Sequence, residues 1–164
     1  MSGAASWSFR EDDAHRIRLV LDQLLVEANA RTALVVDRTG QMLATAGEQP
    51  DFDPVAFASL TAADFSANDQ LARMLGEPEF SALYHQGERE SLYLADIARR
   101  VILVVRFDNR TTLGLVKLRV RSVVVRLTAL FTEMFARADS QPPPRVEAAL
   151  LGEAEDEIDK LFGT

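Results

Sequence analysis

The side chains that could carry catalysis or bind a metal are few and lie far apart in the sequence. The chain has two histidines, His15 and His85. A shared metal site would need the fold to bring them together beside a carboxylate, and two unrelated surface histidines are the alternative that we favour. Asp12-Asp13 and the acidic run 155–157 are neighbours in sequence only. Because adjacent residues on a helix point in different directions, we expect solvated charge there and not acid–base catalysis.

The sequence patterns that bind nucleotides, zinc or calcium do not occur in this chain. It contains no P-loop, no G-x-G-x-x-G, no H-E-x-x-H and no calcium-loop pattern. It also has no cysteine, which excludes disulfides, thiolate catalysis and Cys-ligated metal sites. We therefore expect a protein without an active site, a cofactor or a metal of its own.

The basic residues at two places in the chain allow more than one functional interpretation. Arg110 follows a predicted strand, where it could act on a partner as an arginine finger, but a turn held by Asp108 is the interpretation that we favour. Four basic residues of the predicted last helix lie mostly away from its apolar stripe, and a solvated face is favoured there over a docking patch for an acidic partner. These four residues are Lys117, Arg119, Arg121 and Arg126.

Hydrophobic periodicity and turn signals predict an α+β fold in the order α-β-β-α-β-β-β-α. The predicted elements cover residues 10–28, 32–36, 41–46, 53–75, 80–85, 88–95, 99–108 and 112–138. Short links make the first two strands a hairpin and the last three an antiparallel meander, and we expect one five-stranded antiparallel sheet that needs helices on both faces to be covered. We divide the chain into a flexible N-terminus (1–9), one domain (10–138), a proline-rich linker (139–152) and an acidic tail (153–164).

The charge balance narrows the classes of partner. The 164 residues carry 18 basic and 25 acidic side chains, a formal net charge of −7. This balance argues against binding to nucleic acid or to anionic membranes, both of which need a basic surface. The start of the chain lacks the apolar core of a signal peptide, and the strongly apolar run 101–105 is too short to cross a bilayer. We expect a cytoplasmic protein.

The predicted second helix has two apolar faces. Leu60, Ala63, Ala67, Leu71 and Met74 recur at steps of three and four, and we expect this face to lie on the sheet. Small residues around an aromatic occupy nearly the opposite side and predict an interface with a second copy or with a partner. The predicted interface residues are Ala58, Ala62, Phe65, Ser66, Asp69 and Arg73.

Several motifs, taken in order, resemble the Roadblock/LC7 family and, within it, bacterial polarity regulators. They cover residues 34–40 (LVVDRTG), 59–62 (SLTA), 71–77 (LARMLGE), 91–93 (SLY), 100–116 (RVILVVRFDNRTTLGLV) and 156–162 (DEIDKLF). The resemblance spans about residues 10–138, with the tail matching independently. One departure follows the SLTA motif, where Asp64-Phe65 and residues 68–70 replace the small residues expected there.

The resemblance implies a function that the residues alone do not. Members of this kind form homodimers in which two sheets join and the second helices lie side by side. They bind a Ras-like small GTPase of the MglA type and stimulate its GTP hydrolysis by reshaping its active site, without inserting an arginine finger. This would place the chain in the control of cell polarity and gliding motility, concentrated at a cell pole. The alternative is a non-catalytic scaffold that recruits polarity or response-regulator proteins.

The acidic tail also has two interpretations. Its composition permits a disordered solubility tail. However, Ile158, Leu161 and Phe162 fall at i, i+3 and i+4, so that a two-turn helix would present all three on one side. We predict a linear docking motif for a partner groove, with the GTPase or a response-regulator receiver domain as its target.

Overall fold

A computed structural model describes residues 10–49 and 51–140 of the chain. Three helices and five strands follow one another in the predicted order. They are α1 (Glu11–Ala28), β1 (Thr32–Asp37), β2 (Met42–Gly47), α2 (Pro54–Met74), β3 (Ala82–Gln86), β4 (Glu90–Ile97), β5 (Val101–Asp108) and α3 (Leu113–Ser140). Every predicted element is confirmed, with its ends within two residues of the prediction.

The five strands form one antiparallel sheet in the order β2-β1-β5-β4-β3. The two-residue periodicity of side chains sends alternate residues to opposite faces. Ala33, Val35, Leu103 and Val105 belong to one core cluster with α1 and α3. Leu34, Val36, Ile102 and Val104 belong to a second cluster with α2. The predicted α+β architecture with helices on both faces is therefore confirmed, and β2 and β3 are the edge strands.

The start of α2 follows the sequence signal closely. Asp53 caps the helix, because its side chain accepts a hydrogen bond from the Val55 backbone N–H at 3.0 Å. Pro54 occupies the first helical position, where a missing N–H removes no hydrogen bond. The predicted N-terminus of this helix is thus confirmed.

The predicted orientation of α2 is wrong. Ala58, Ala62 and Phe65 are buried, and Ala58 and Phe65 pack against the sheet. The face that the sequence assigned to the sheet points to solvent. The physical reason is size: the sheet already supplies large branched side chains on this face. A helix that presents alanines and one phenylalanine can approach such a surface closely.

The β4–β5 connection is as short as the predicted link 96–98 but is shifted by two residues, to 98–100. Asp96 and Ile97 belong to β4, and the turn consists of Ala98 and Arg99, with φ values of 53° and 59°. The Arg100 N–H donates to the Ile97 carbonyl at 3.2 Å and closes the turn. Two successive positive φ values suit Asn and Gly, and they strain other residues.

Relief of this strain gives a first testable prediction. We expect Arg99→Gly to raise the free energy of unfolding by about 1 kcal/mol, since glycine adopts a positive φ without the Cβ clash. Urea unfolding followed by circular dichroism measures the change. Arg100→Gly is the control and should lower stability, because the Arg100 guanidinium lies 4.4 Å from the ring centroid of Phe135. Equal effects of the two substitutions would contradict the strain argument.

None of the helices in the described part of the chain is long and apolar enough to span a membrane.

Candidate functional site

The solvent side of α2 carries a continuous row of apolar side chains. Leu60 is 70% exposed, Leu71 is 56% exposed and Met74 is 83% exposed. Ala63 and Ala67 are exposed between them. We call these five residues the apolar face of α2. Scattered exposed hydrophobic residues are ordinary, but a row along one helix face is typical of a surface that another protein covers.

Three of the predicted interface residues are not buried, and two of them, Ser66 and Arg73, lie beside this face. Ser66 and Arg73 are exposed, and Asp69 is half-buried in an ion pair. At the other border of the apolar face, one turn after Leu60, Asp64 Oδ2 and His85 Nε2 are 2.6 Å apart. The structure therefore leaves Ser66 and Arg73 at the border of the apolar face and places Asp69 with Ala58, Ala62 and Phe65 on the side that faces the sheet.

Arg38 fixes the second half of α2 on the sheet. Its guanidinium forms ion pairs with Asp69 of α2 and Asp96 of β4, and its Cζ atom lies 4.7 Å from the ring centroid of Phe65. Burial alone would lower the pKa of Arg38, but the hydrogen bonds to Asp96 and Asp69 outweigh burial and raise it. Arg38 therefore remains charged and holds two carboxylates that would otherwise repel each other.

The ion pairs of Arg38 give a second testable prediction. We expect Arg38→Ala to lower the free energy of unfolding by about 2–3 kcal/mol, because two poorly solvated carboxylates lose their counter-ion. Arg16→Ala is the matched control, since Arg16 and Glu133 form an exposed ion pair at 3.4 Å. Its effect should stay within about 0.5 kcal/mol. Similar effects of both substitutions in urea unfolding would mean that the Arg38 cluster does not stabilise the fold.

Arg110 is held in the turn that the sequence favoured. Its backbone N–H donates to Asp108 Oδ1 at 3.0 Å, and its Nε donates to the same atom at 3.1 Å. These two hydrogen bonds lower the pKa of Asp108, since both stabilise its charged form. Arg110 also lies 3.6 Å from Glu48. The turn interpretation is confirmed, and this geometry does not favour an arginine finger.

The two histidines do not share a site. His15 is exposed on α1, whereas His85 lies at the end of β3 beside Asp64. Within the described ranges 10–49 and 51–140, no group of three or more His, Asp or Glu residues could hold a metal ion.

The basic residues of α3 lie largely outside the core. Lys117, Arg121 and Arg126 are exposed, and Arg119 is half-buried. Arg126 donates to the side chain of Gln23 on α1 at 2.9 Å. Their placement away from the apolar stripe agrees with the helical periodicity.

The sequence reasoning missed the apolar face of α2 as an interface because it assigned those residues to the core. Two features of the structure fix the orientation. Thr61 and Asn68 share the buried face and leave the larger aliphatic residues outside. Asp69 pairs with Arg38, which fixes that side of the helix toward the β1–β2 turn.

Comparisons with known proteins connect this fold to one family. Residues 16–107 match the family model of the Roadblock/LC7 domain. Among curated proteins there is no significant match. Myxococcus xanthus MglB is 40% identical to the chain, with a TM-score of 0.73, over 77% of this chain and 95% of that one.

Two further solved structures agree. A gliding protein MglB from Thermus thermophilus is 34% identical, with a TM-score of 0.72, over 78% of this chain and 97% of that one. An MglB described with a tetrameric arrangement is 34% identical, with a TM-score of 0.73, over 79% of this chain and 97% of that one. Since the family model covers more than half of the chain and these structures align with over three quarters of it, the chain belongs to the Roadblock/LC7 family.

Proposed function

We propose that the protein is a homodimeric regulator that binds a Ras-like small GTPase of the MglA type and stimulates its GTP hydrolysis. The observation that carries the proposal is the apolar face of α2, on a chain that is 34–40% identical to three MglB structures. One of these relatives is described as a gliding protein. Control of polarity and motility, in the cytoplasm and at a cell pole, belongs to the same proposal.

The homodimer rests on two features of one protomer. The exposed row from Leu60 to Met74 gives two copies of α2 a surface on which to lie side by side. The edge strand β3 has an unpaired side, so two sheets can join there. A relative with a tetrameric arrangement supports self-association. A symmetric pair would use the same patch on both copies.

A regulator that has no active site of its own can accelerate hydrolysis only by changing the conformation of the GTPase. Arg38 and Arg110 are both tied into ion pairs within the protomer, which does not favour insertion of either as an arginine finger. In this proposal the dimer binds the hydrolysis-competent conformation of the GTPase more tightly than the other conformations. The GTPase then supplies its own arginine and its own water-orienting residue.

A single-turnover assay tests this proposal against the scaffold alternative. The GTPase of the MglA type is loaded with GTP, and the chain is added at increasing concentration. An activator should raise the hydrolysis rate at least tenfold, saturating as the complex forms. Binding without acceleration would identify a scaffold, and absence of binding would refute both.

The tail motif Ile158, Leu161 and Phe162 lies outside the described residues and remains a prediction. We propose that it is a docking segment that adjusts affinity for the GTPase or nucleotide exchange, with a receiver domain as a second target. Deletion of residues 140–164 should change partner binding or exchange while the dimer persists. Unchanged values for GTPase affinity, hydrolysis, exchange and receiver binding would favour a solubility tail.

A further inference from the structure

The sheet face opposite α2 is not fully covered by helices. A groove with a volume of about 490 Å³ runs between α3 and the outer strands β3 and β4. Its floor contains two directly paired cross-strand positions, Ala82 with Ala95 and Tyr84 with Tyr93. We call this the α3 groove. Its floor is apolar and aromatic, and it suits side chains of an amphipathic segment.

The α3 side of the groove combines apolar and basic residues. Val124 and Val125 line it, and Val125 is 69% exposed. Lys117 and Arg121 stand on the same wall. Tyr93 and Arg121 both line the groove; burial raises the pKa of Tyr93, and the positive charge of Arg121 partly offsets this.

The charge around the groove contrasts with the rest of the protein. Two basic residues, Lys117 and Arg121, line the groove with one acidic residue, Asp96, whose carboxylate is already paired with Arg38, although the whole chain has a net charge of −7. An apolar floor with a basic rim selects a segment that is apolar on one side and acidic on the other.

The chain itself contains such a segment at residues 153–164. This segment carries five acidic side chains and one basic side chain. Ile158, Leu161 and Phe162 have the spacing of one helix face. The segment lies outside the described residues.

The connection is long enough to reach the groove. The helix α3 ends at Ser140, and 12 residues, 141–152, separate it from the segment. At the rise of an extended proline-rich chain, 12 residues span about 37 Å. The distance back along α3 from Ser140 to Arg121 is about 28 Å at 1.5 Å per residue.

We propose that the α3 groove binds the C-terminal segment 153–164 of this same chain, with Ile158, Leu161 and Phe162 on the floor and the acidic residues against Lys117 and Arg121. In a dimer, the segment comes from the same copy or from its partner copy. The groove and the apolar face of α2 lie on opposite faces of the sheet, so docking leaves α2 free. A partner that uses the tail must displace it from this resting site.

The absence of cysteine allows a direct test on the full chain. Thr164→Cys provides the single attachment point for a nitroxide spin label in the isotope-labelled protein. We expect selective loss of amide signal intensity at Tyr84, Tyr93 and Val124, compared with the reduced label. Amides on the apolar face of α2 should keep their intensity.

Variants separate docking from chance proximity. Lys117→Glu combined with Arg121→Glu should restore the lost intensities, since it places like charges beside the acidic segment. Arg126→Glu is the matched control on the same helix, outside the groove, and should leave the signal loss unchanged. Leu161→Ala with Phe162→Ala should also restore the intensities, and neither change touches the described fold.

Three results would overturn the proposal. They are a nitroxide that leaves the groove amides unaffected, signal loss that persists in the Lys117/Arg121 double variant, and selective signal loss on α2 instead. None of these depends on GTP hydrolysis, so the proposed GTPase regulation can stand or fall separately.

Discussion

Replacement of Phe65 by alanine is expected to lower the free energy of unfolding by about 3–5 kcal/mol. The ring is fully buried between α2 and the sheet, in a cluster with Leu34, Ile102 and Val104. Its removal leaves a cavity that the surrounding strands cannot fill without losing their register, and it takes away the ring beneath Arg38. Urea unfolding at a fixed protein concentration, followed by circular dichroism, measures the loss.

Leu60→Ala is the matched control on the same helix. Leu60 is 70% exposed in the protomer, so its loss should leave the fold of the protomer intact and weaken self-association. The opposite pattern, in which Phe65→Ala keeps the unfolding free energy and weakens association, would contradict the orientation of α2 described above.

Ala67→Arg is expected to convert the dimer to monomer at micromolar concentration. Ala67 lies near the middle of the apolar face of α2, and a long charged side chain there would prevent the close approach of a second helix. We expect the dissociation constant of the dimer to rise on the order of 100-fold, which corresponds to about 2.7 kcal/mol. Sedimentation velocity over a concentration series measures it.

The control for this prediction is Ala136→Arg, which places the same side chain on an exposed position of α3. It should leave the dimer unchanged. A dimer that persists in Ala67→Arg, with a normal circular dichroism spectrum, would place the interface elsewhere, for example on the edge strand β3 alone.

The order and bounds of the elements could be predicted because local signals agree with the fold. The hairpin β1–β2, the Asp53-Pro54 start of α2 and the apolar stripe of α3 each depend on residues close in sequence. Short links were enough to predict the β1–β2 hairpin and the β3–β4–β5 meander, whereas the β1–β5 pairing that joins them connects residues far apart in sequence, such as Leu34 and Val104. A helix or strand can be predicted from a single sequence when its local signals agree with the overall fold in this way.

The orientation of α2 was not readable in the same way. Both faces of this helix are apolar, and the exposed one carries the larger aliphatic residues, Leu60, Leu71 and Met74. Which face packs inward depends on the shape of a sheet surface built from residues far away in sequence. The Arg38 cluster is of the same kind, since its partners Asp69 and Asp96 lie 31 and 58 residues away. Helical periodicity shows that a helix has an apolar face, but it does not show whether the sheet or another protein covers that face.

The orientation of α2 is informative about function. A helix that buries alanines and exposes leucines loses apolar burial in the isolated protomer, which is a cost unless a second surface covers the exposed row. The apolar face of α2 is therefore a stronger indication of assembly than the interface residues that were predicted from the sequence. Ser66 and Arg73 remain at its border, where polar residues commonly surround an interface.

The most direct test of the central claim is the single-turnover rate of GTP hydrolysis by the GTPase of the MglA type, measured with the wild-type chain, Ala67→Arg and Ala136→Arg. We predict that the wild type and Ala136→Arg accelerate hydrolysis equally, by at least tenfold. Ala67→Arg should leave the rate at that of the GTPase alone. Full acceleration by a folded Ala67→Arg, or no acceleration by any of the three proteins, would contradict the claim that this protein activates a GTPase through the apolar face of α2.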